Sequence, residues 1–230
     1  MRLYKNWIYC KFTEMSPRRY RADKRQEATA ETRRRILDAV IALHAERGAL
    51  RTTYAMIAER ADVAVPTVYN HFPTHGGLLD ACIGHTLAQA PPLGPQIFAG
   101  AADLESRVGA LVRAYFAFYR FLDRWLRWGY YEAQLDPAIG TRLKAAAEGR
   151  RNLIALALAP RRSAALGALF DILLDFPAWQ RLSQDESLAA GEAEAVLAET
   201  LVALARGHGA ADSGAPAARR GKPGTRRTAT

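Results

Sequence analysis

The stretch of sequence that decides the fold is residues 52–74, TTYAMIAERADVAVPTVYNHFPT. It predicts a short amphipathic helix over about residues 54–61 and a second short helix from about Val65 to His71. Asp62 interrupts the pattern between them, and Asp is one of the few residues that tolerates the left-handed backbone of a tight turn. The second helix carries small and polar residues rather than a run of charges. This pattern predicts a helix-turn-helix, in which the second helix enters the major groove of DNA.

Helical periodicity continues on both sides of this stretch. Upstream, apolar residues recur between Thr29, a candidate N-cap, and Gly48, a candidate C-terminal stop. Downstream, apolar residues over 78–87 indicate another helix. Residues 89–102 then contain three prolines and two glycines, a composition that breaks helices and is typical of a linker.

Beyond the linker the apolar spacing is helical again. It predicts a helix over about 104–122, a separate one over about 124–134, one capped by Asp136 and one capped by Ser163. After a loop, a last helix ends at Gly207. No segment shows the sustained alternation of a strand, so the sequence predicts an all-α protein. The expected divisions are a flexible basic arm over 1–28, a helix-turn-helix domain over 29–88, a linker over 89–102, a helical domain over 103–207 and a disordered basic tail over 208–230.

The positive charge is concentrated at the two ends of the chain. The net charge is +9; residues 1–35 hold 11 basic and 4 acidic residues, and residues 207–230 hold 5 basic and 1 acidic. Such ends suit a polyanionic partner, because Lys and Arg near phosphates release condensed counterions. From charge alone, a basic tail that serves solubility is an equally good explanation.

The helix-turn-helix stretch resembles the TetR (tetracycline-repressor-like) family, whose signature runs from two threonines through V-x-x-x-T-x-Y-x-x-F, here Val63 to Phe72. The resemblance covers about Thr29 to Leu87 by motif; beyond it, only the helical architecture and a Trp179-Gln180-Arg181-Leu182 segment are similar. It implies an N-terminal three-helix DNA-binding domain followed by a helical ligand-binding and dimerisation domain. It also implies a homodimer that binds double-stranded operator DNA at a palindrome and represses until a small molecule binds.

The resemblance also implies which residues touch DNA. Asn can pair with adenine, and the methyl groups of Val and Thr can contact thymine methyls. Ala64 and Val65 stand where a Ser cap and a Lys are usual, so affinity is expected to depend also on arginines 18 to 25, which could reach the minor groove or neighbouring phosphates. The residues expected to contact phosphates are Thr53, Tyr54, Tyr69 and His71. Those expected to contact base edges are Val65, Pro66, Thr67 and Asn70. Further DNA contacts are expected at the head of the next helix, from Thr74 and His75.

The larger domain offers two candidate sites. Nine aromatic residues lie within 115–131, too many for one ordinary core stripe, and they predict a pocket for a small apolar or aromatic effector; packing against the following helices is the alternative. Two later helices have apolar stripes that suit a dimer seam, although these residues could be interior. The effector set is Tyr115, Phe118, Trp125, Trp128 and Tyr131, and the dimer set is Leu166, Leu169, Leu173, Val196, Leu197 and Leu201.

Other functions find little support in the sequence. There is no nucleophile elbow, phosphate loop, metalloprotease helix motif or pair of Cys ligands, so neither an enzyme nor a cofactor is expected. His71 and His75 are four residues apart, but Pro73 separates them and no metal site is expected. The lack of a long apolar run and of a signal peptide predicts a cytoplasmic location. An architectural DNA-binding protein without sequence preference remains the main alternative.

Overall fold

A computed structural model of the protein describes residues 17–160, 163–184, 188–189 and 191–212. Within these ranges the chain forms nine α-helices, a short 3-10 helix over Pro95–Phe98 and no strand, which confirms the all-α prediction. None of the described helices is both long and apolar enough to cross a membrane. The α-helices are α1 (Pro17–Arg47), α2 (Tyr54–Ala61), α3 (Val65–His71), α4 (His75–Leu87), α5 (Leu104–Glu132), α6 (Pro137–Ala157), α7 (Ala164–Leu173), α8 (Phe176–Ser183) and α9 (Glu192–Asp212).

The chain divides into two compact units between Ala88 and Gln89. In the first unit, α1 packs against α2 and α4, and α2 packs against α3. Their apolar faces meet in one core, because each helix carries apolar residues at helical spacing on one side. The largest buried contributors are Ile36, Val40, Ile57, Val68, Phe72 and Leu78.

Helix α1 is longer than the sequence predicts. It begins at Pro17 rather than near Thr29, so the described part of the expected flexible arm is helical. Thr29 does not act as an N-cap, because its hydroxyl donates to the carbonyl of Arg25 one turn earlier, at 2.8 Å. Residues 18–28 contain neither glycine nor proline and consist mainly of good helix formers, so nothing stops the helix there. At its other end, Gly48 adopts a φ of 85° and terminates α1 as expected.

In the second unit the predicted caps are confirmed, but several helix bounds differ. Asp136 and Ser163 accept hydrogen bonds from the first turns of α6 and α7. Helix α5 is continuous to Glu132, because no breaker separates 104–122 from 124–134. Helix α8, which the sequence analysis treats as loop, is capped by Asp175. Helix α9 continues past Gly207 to Asp212, because that glycine does not adopt the positive φ that ends a helix. Most of the expected C-terminal tail, residues 213–230, lies outside the described residues.

A charged side chain joins three elements of the second unit. Arg150 of α6 is buried, and its Nε donates to Asp171 of α7 at 2.7 Å while its Nη1 donates to Asp175 at 2.8 Å. Tyr119 of α5 lies beside it, with its hydroxyl 3.4 Å from Nη1. A buried guanidinium needs such partners, since an unpaired charge in a protein interior is costly. Arg150 therefore fixes how α5, α6, α7 and the start of α8 pack.

His44 is a buried titratable group in the first unit. It is 6% exposed, its Nδ1 lies 3.7 Å from Sγ of Cys82, and its Nε2 has no hydrogen-bond partner among the described residues. Burial, and secondly the positive charge that His75 would carry, lower the pKa of His44 from 6.5 to about 4. The folded domain therefore holds this imidazole neutral.

The stability of the first unit is expected to fall as the pH is lowered. The pKa of His44 is lower in the folded than in the unfolded state. The free energy of unfolding is therefore highest above pH 6.5 and falls progressively toward pH 4, by roughly 3 kcal/mol in total. Urea denaturation followed by circular dichroism between pH 7 and pH 4.5 would measure this loss. In His44→Gln the free energy of unfolding should fall less over the same pH interval. An identical pH profile in both proteins would contradict the prediction.

Candidate nucleic-acid interface

The turn between α2 and α3 has the geometry that the sequence predicts. Thr53 caps α2 by accepting a hydrogen bond from the amide of Met56 at 3.3 Å. Asp62 ends α2 in the left-handed conformation, with φ 52° and ψ 56°. Helix α3 follows Ala64, which offers no side-chain cap, and Pro66 lies in the first turn, where a missing N–H leaves no intrahelical bond unmade.

Helix α3 has one face in the core and one face open. Val68 and the residue that ends the helix, Phe72, are buried against α1 and α2. Val65, Pro66 and Asn70 are exposed on the other side, as expected for residues that face bases, whereas Thr67 and His71 are half-buried. The open face is therefore presented by a helix whose opposite side is fixed.

Tyr54 and Tyr69 form a pair that the sequence analysis does not foresee. Their rings stack with centroids 4.3 Å apart and planes at 8°, and the Tyr54 hydroxyl donates to the carbonyl of Phe72 at 2.9 Å. The hydroxyl proton of Tyr54 is thus used within the domain and is not available to a phosphate, contrary to the expectation for this residue. Tyr54 instead positions Tyr69, which remains 50% exposed.

At the head of α4, one of the two residues expected to contact DNA is not exposed. Thr74 is exposed and caps α4, accepting a hydrogen bond from the amide of Gly77 at 3.1 Å. His75 is half-buried, and its Nε2 is enclosed with no hydrogen-bond partner among the described residues. That nitrogen therefore does not point outward to a phosphate.

The helix-turn-helix itself has little positive charge. Residues 36–88 hold three basic and five acidic residues, a formal charge of −2, and α3 contains no Lys, Arg, Asp or Glu. Arg60 is paired with Glu46 at 2.5 Å. The surface that would read bases is therefore close to neutral, and attraction for a polyanion has to come from other parts of the chain.

The five aromatic residues predicted to bind an effector do not form one site. Tyr115 is buried in the core at 4% exposure, whereas Tyr131 is 61% exposed and lies sixteen residues, or about 24 Å, further along α5. Between them, Trp125 packs against Phe121 and beneath the guanidinium of Arg124. Phe118 and Trp128, the other two, are half-buried on α5.

A different set of aromatic side chains converges in this unit. The rings of Tyr119, Tyr130 and Trp179 lie within 6 Å of one another or of Phe176. The Tyr130 hydroxyl hydrogen-bonds to Asp175, and burial raises the pKa of Tyr119. Phe176 and Trp179 reach this cluster through the fold of α8. The spacing of aromatic residues along α5 therefore does not predict the cluster.

An open groove lies between α6 and α7. It has a volume of about 480 Å³ and is floored by apolar and small residues, including Ile154, Leu158 and Gly167. Arg151 and Asp171 line its edge and form an ion pair at 3.5 Å. Its size falls within the range of small-molecule sites.

The predicted dimer residues separate into two groups. Leu166, Leu197 and Leu201 are buried in the core of their own subunit, so they cannot meet a partner, and Leu173 is half-buried against that core. Leu169 and Val196 are exposed. Ile172, which the sequence analysis leaves out, is 65% exposed. A single apolar stripe is predicted for each helix, whereas α7 has two apolar sides.

Comparison with known proteins finds similarity within the first unit. Residues 36–82 match the model described as bacterial regulatory proteins, tetR family. The HTH-type transcriptional repressor KstR of Mycolicibacterium smegmatis is 45% identical over 58 residues, a match that covers 25% of this chain and 28% of that protein. The chain thus matches little more than a quarter of the length of this curated relative.

Solved structures are similar over most of the chain. A transcriptional regulator of Streptomyces coelicolor A3(2), SCO7518, superposes with a TM-score of 0.56 at 22% identity, covering 76% of this chain and 98% of that one. The multidrug binding protein EbrR, in complex with imidazole, superposes with a TM-score of 0.53 at 23% identity, covering 86% of this chain and 97% of that one. At these identities the likeness is one of fold.

Proposed function

We propose that the chain is a member of the tetR family of bacterial regulatory proteins, because residues 36–82 match the model of that family, and that it is a homodimeric transcriptional repressor of a palindromic operator. In this proposal a small apolar or aromatic molecule binds the larger domain and releases the DNA. The observation that carries the proposal is α3: Val68 and Phe72 anchor one side, and Val65, Pro66 and Asn70 stand open on the other.

The two kinds of contact with DNA follow from the side chains on this face. Asn70 can pair bidentately with an adenine, and the methyl groups of Val65 can pack on a thymine methyl, so these residues would read sequence. Tyr69, held by its stack on Tyr54, would donate its hydroxyl to a phosphate and set the register of the helix. Sequence preference and general affinity therefore depend on different residues.

The proposed dimer uses the outer side of α7 together with α9. Outside the groove between α6 and α7, the exposed side chains of α7 are all apolar, namely Ala165, Leu169 and Ile172. Helix α9 packs against α7 and exposes Val196. An apolar face of this kind favours a self-complementary contact with a second copy, and a two-fold dimer matches a palindromic site.

The groove between α6 and α7 is the proposed effector site, in place of the aromatic residues along α5. Its apolar floor suits an apolar ligand, and Arg151 and Asp171 offer polar contacts at the edge. Asp171 also accepts a hydrogen bond from Arg150, which holds Asp175 at the start of α8. A ligand that draws Asp171 or Arg151 away would disturb the packing that Arg150 fixes, and this gives binding a route to a change of conformation.

Sequence-specific binding is tested by selecting a preferred duplex from random DNA with the full chain. We expect one palindrome to be preferred over bulk DNA by about 10³ or more at fixed salt. Asn70→Ala should relax the preference at one base pair of each half-site by about 1–3 kcal/mol, whereas Tyr69→Ala should weaken binding to every sequence. Equal affinity for palindrome and bulk DNA would favour an architectural DNA-binding protein instead.

The dimer is tested by Ile172→Glu. A charge placed in an apolar interface is left without a partner or solvent, so this variant is expected to sediment as a monomer at concentrations where the wild type is a dimer. Leu135→Glu, at a 60% exposed position outside α7 and α9, is the matched control and should remain dimeric. A dimeric Ile172→Glu protein would exclude this face.

The effector site is tested at Gly167, because a Cβ added there meets no atom within 4 Å. Gly167→Leu should fill the groove and reduce binding of the aromatic, anionic dye anilinonaphthalene sulfonate at least tenfold, as measured by fluorescence titration. Gly167→Ala is the control; it should retain the dye and be about 0.5–1 kcal/mol more stable, since alanine is the better helix former. Unchanged dye binding by the leucine variant would place the site elsewhere.

A further inference from the structure

We propose that the N-terminal half of α1 is a second DNA-binding element, in which Arg21 and Arg25 hold backbone phosphates that flank the base pairs under α3. This inference rests on the proposed function and adds to it a site for DNA phosphates outside the helix-turn-helix. Three properties of the described part of α1 support it: its exposure, the placement of Arg21 and Arg25 opposite two acidic residues, and the contact of Arg33 with the end of α3.

The N-terminal half of α1 takes no part in the core of its unit. No residue of 21–35 is buried, and the buried positions of the helix begin only at Ile36. A helix that buries no apolar face gains little from tertiary packing, so its length serves no evident structural purpose. Its side chains are open to a partner.

Arg21 and Arg25 lie on the side of this helix opposite Asp23 and Glu27. At about 100° per residue, the two arginines are about 40° apart, and each acidic residue is about 120–160° from them. Glu31 pairs with Arg34 at 2.7 Å. The guanidinium groups of Arg21 and Arg25 make no ion pair or hydrogen bond with another residue that the structure describes. They are therefore available to a partner.

The same helix contacts the end of the recognition helix. Arg33 places its guanidinium 4.2 Å above the ring of Phe72, the residue that ends α3. From Arg33 to Arg21 the helix rises about 18 Å, which is roughly half a turn of DNA. Positions 21 and 25 therefore lie at a distance along α1 that suits backbone beyond the groove that α3 would occupy.

The charges of the domain make a duplex the best candidate for this partner. Residues 17–35 hold eight basic and three acidic residues, whereas residues 36–88 have a formal charge of −2. Affinity for DNA depends largely on phosphates neutralised by Lys and Arg, and the helix-turn-helix cannot supply this neutralisation by itself. The N-terminal half of α1 is the part of the described domain that can.

The test compares the full chain with Arg21→Gln/Arg25→Gln on the selected palindrome, over a range of salt concentrations. Four phosphate contacts are lost per dimer, so the slope of log affinity against log salt should become shallower by about 3–4, at about 0.9 per contact. Base preference should not change. The effect should vanish on a shortened duplex that ends at the half-sites, because the flanking phosphates are then missing.

A matched control separates local contact from net charge. Asp23→Asn/Glu27→Gln changes the same number of charges on the opposite side of the helix, and it should alter the slope by less than 1. Circular dichroism checks that both variants keep their helix. An unchanged slope in the arginine variant, or an opposite change of equal size in the control, would overturn the inference. If the wild type prefers no palindrome, the proposed function fails, whereas a salt slope that still depends on Arg21 and Arg25 with bulk DNA leaves the phosphate site standing.

Discussion

The burial of Val68 and Phe72 is the contact on which the first unit depends. Helix α3 has only seven residues, and a helix of that length has no stability of its own in water. Its conformation therefore comes from packing these two side chains against α1 and α2, while the left-handed turn at Asp62 sets its direction. Because the anchors occupy one side of the helix, the opposite side is left open and rigid at the same time.

Side-chain contacts secure the two ends of this arrangement. Tyr54 reaches from α2 to the carbonyl of Phe72 and stacks on Tyr69, and Arg33 covers the ring of Phe72 from α1. These contacts join α1 and α2 to the end of α3. In the proposed function, the nearly neutral helix α3 would offer shape and hydrogen bonds to bases, and the charged part of α1 would offer attraction to the backbone. The first would give preference among sequences, and the second would give affinity for any of them.

The larger unit has a different kind of internal constraint. Its core is mainly apolar, and the buried Arg150 holds Asp171 and Asp175 and so links α6 to α7 and to the start of α8. Asp171 also pairs with Arg151 at the edge of the groove. One carboxylate therefore contacts both a buried and an exposed arginine. Burial of Leu166 on the inner side of α7, with Ile172 exposed on its outer side, leaves that helix with apolar side chains in two directions.

The sequence by itself determined the features that depend on neighbours along the chain. Caps at Asp136 and Ser163, the turn at Asp62 and the stop at Gly48 all follow from residue type and local spacing. The two faces of α3 could be predicted for the same reason, since a helical period assigns buried and open sides. Thr29 shows the limit of local reasoning, because a threonine can cap a helix or donate to the carbonyl one turn before it.

Only the tertiary structure decided which of several equivalent apolar or aromatic residues meet. Leucines of α7 and α9 look alike in sequence, yet Leu166 and Leu201 are interior while Leu169 is exposed, because the direction of a stripe depends on where the neighbouring helices lie. The stack of Tyr54 on Tyr69 and the meeting of Tyr119 with Trp179 join residues on different helices. Periodicity orders side chains around one helix axis and contains no information on the position of the next, so these contacts follow from packing alone.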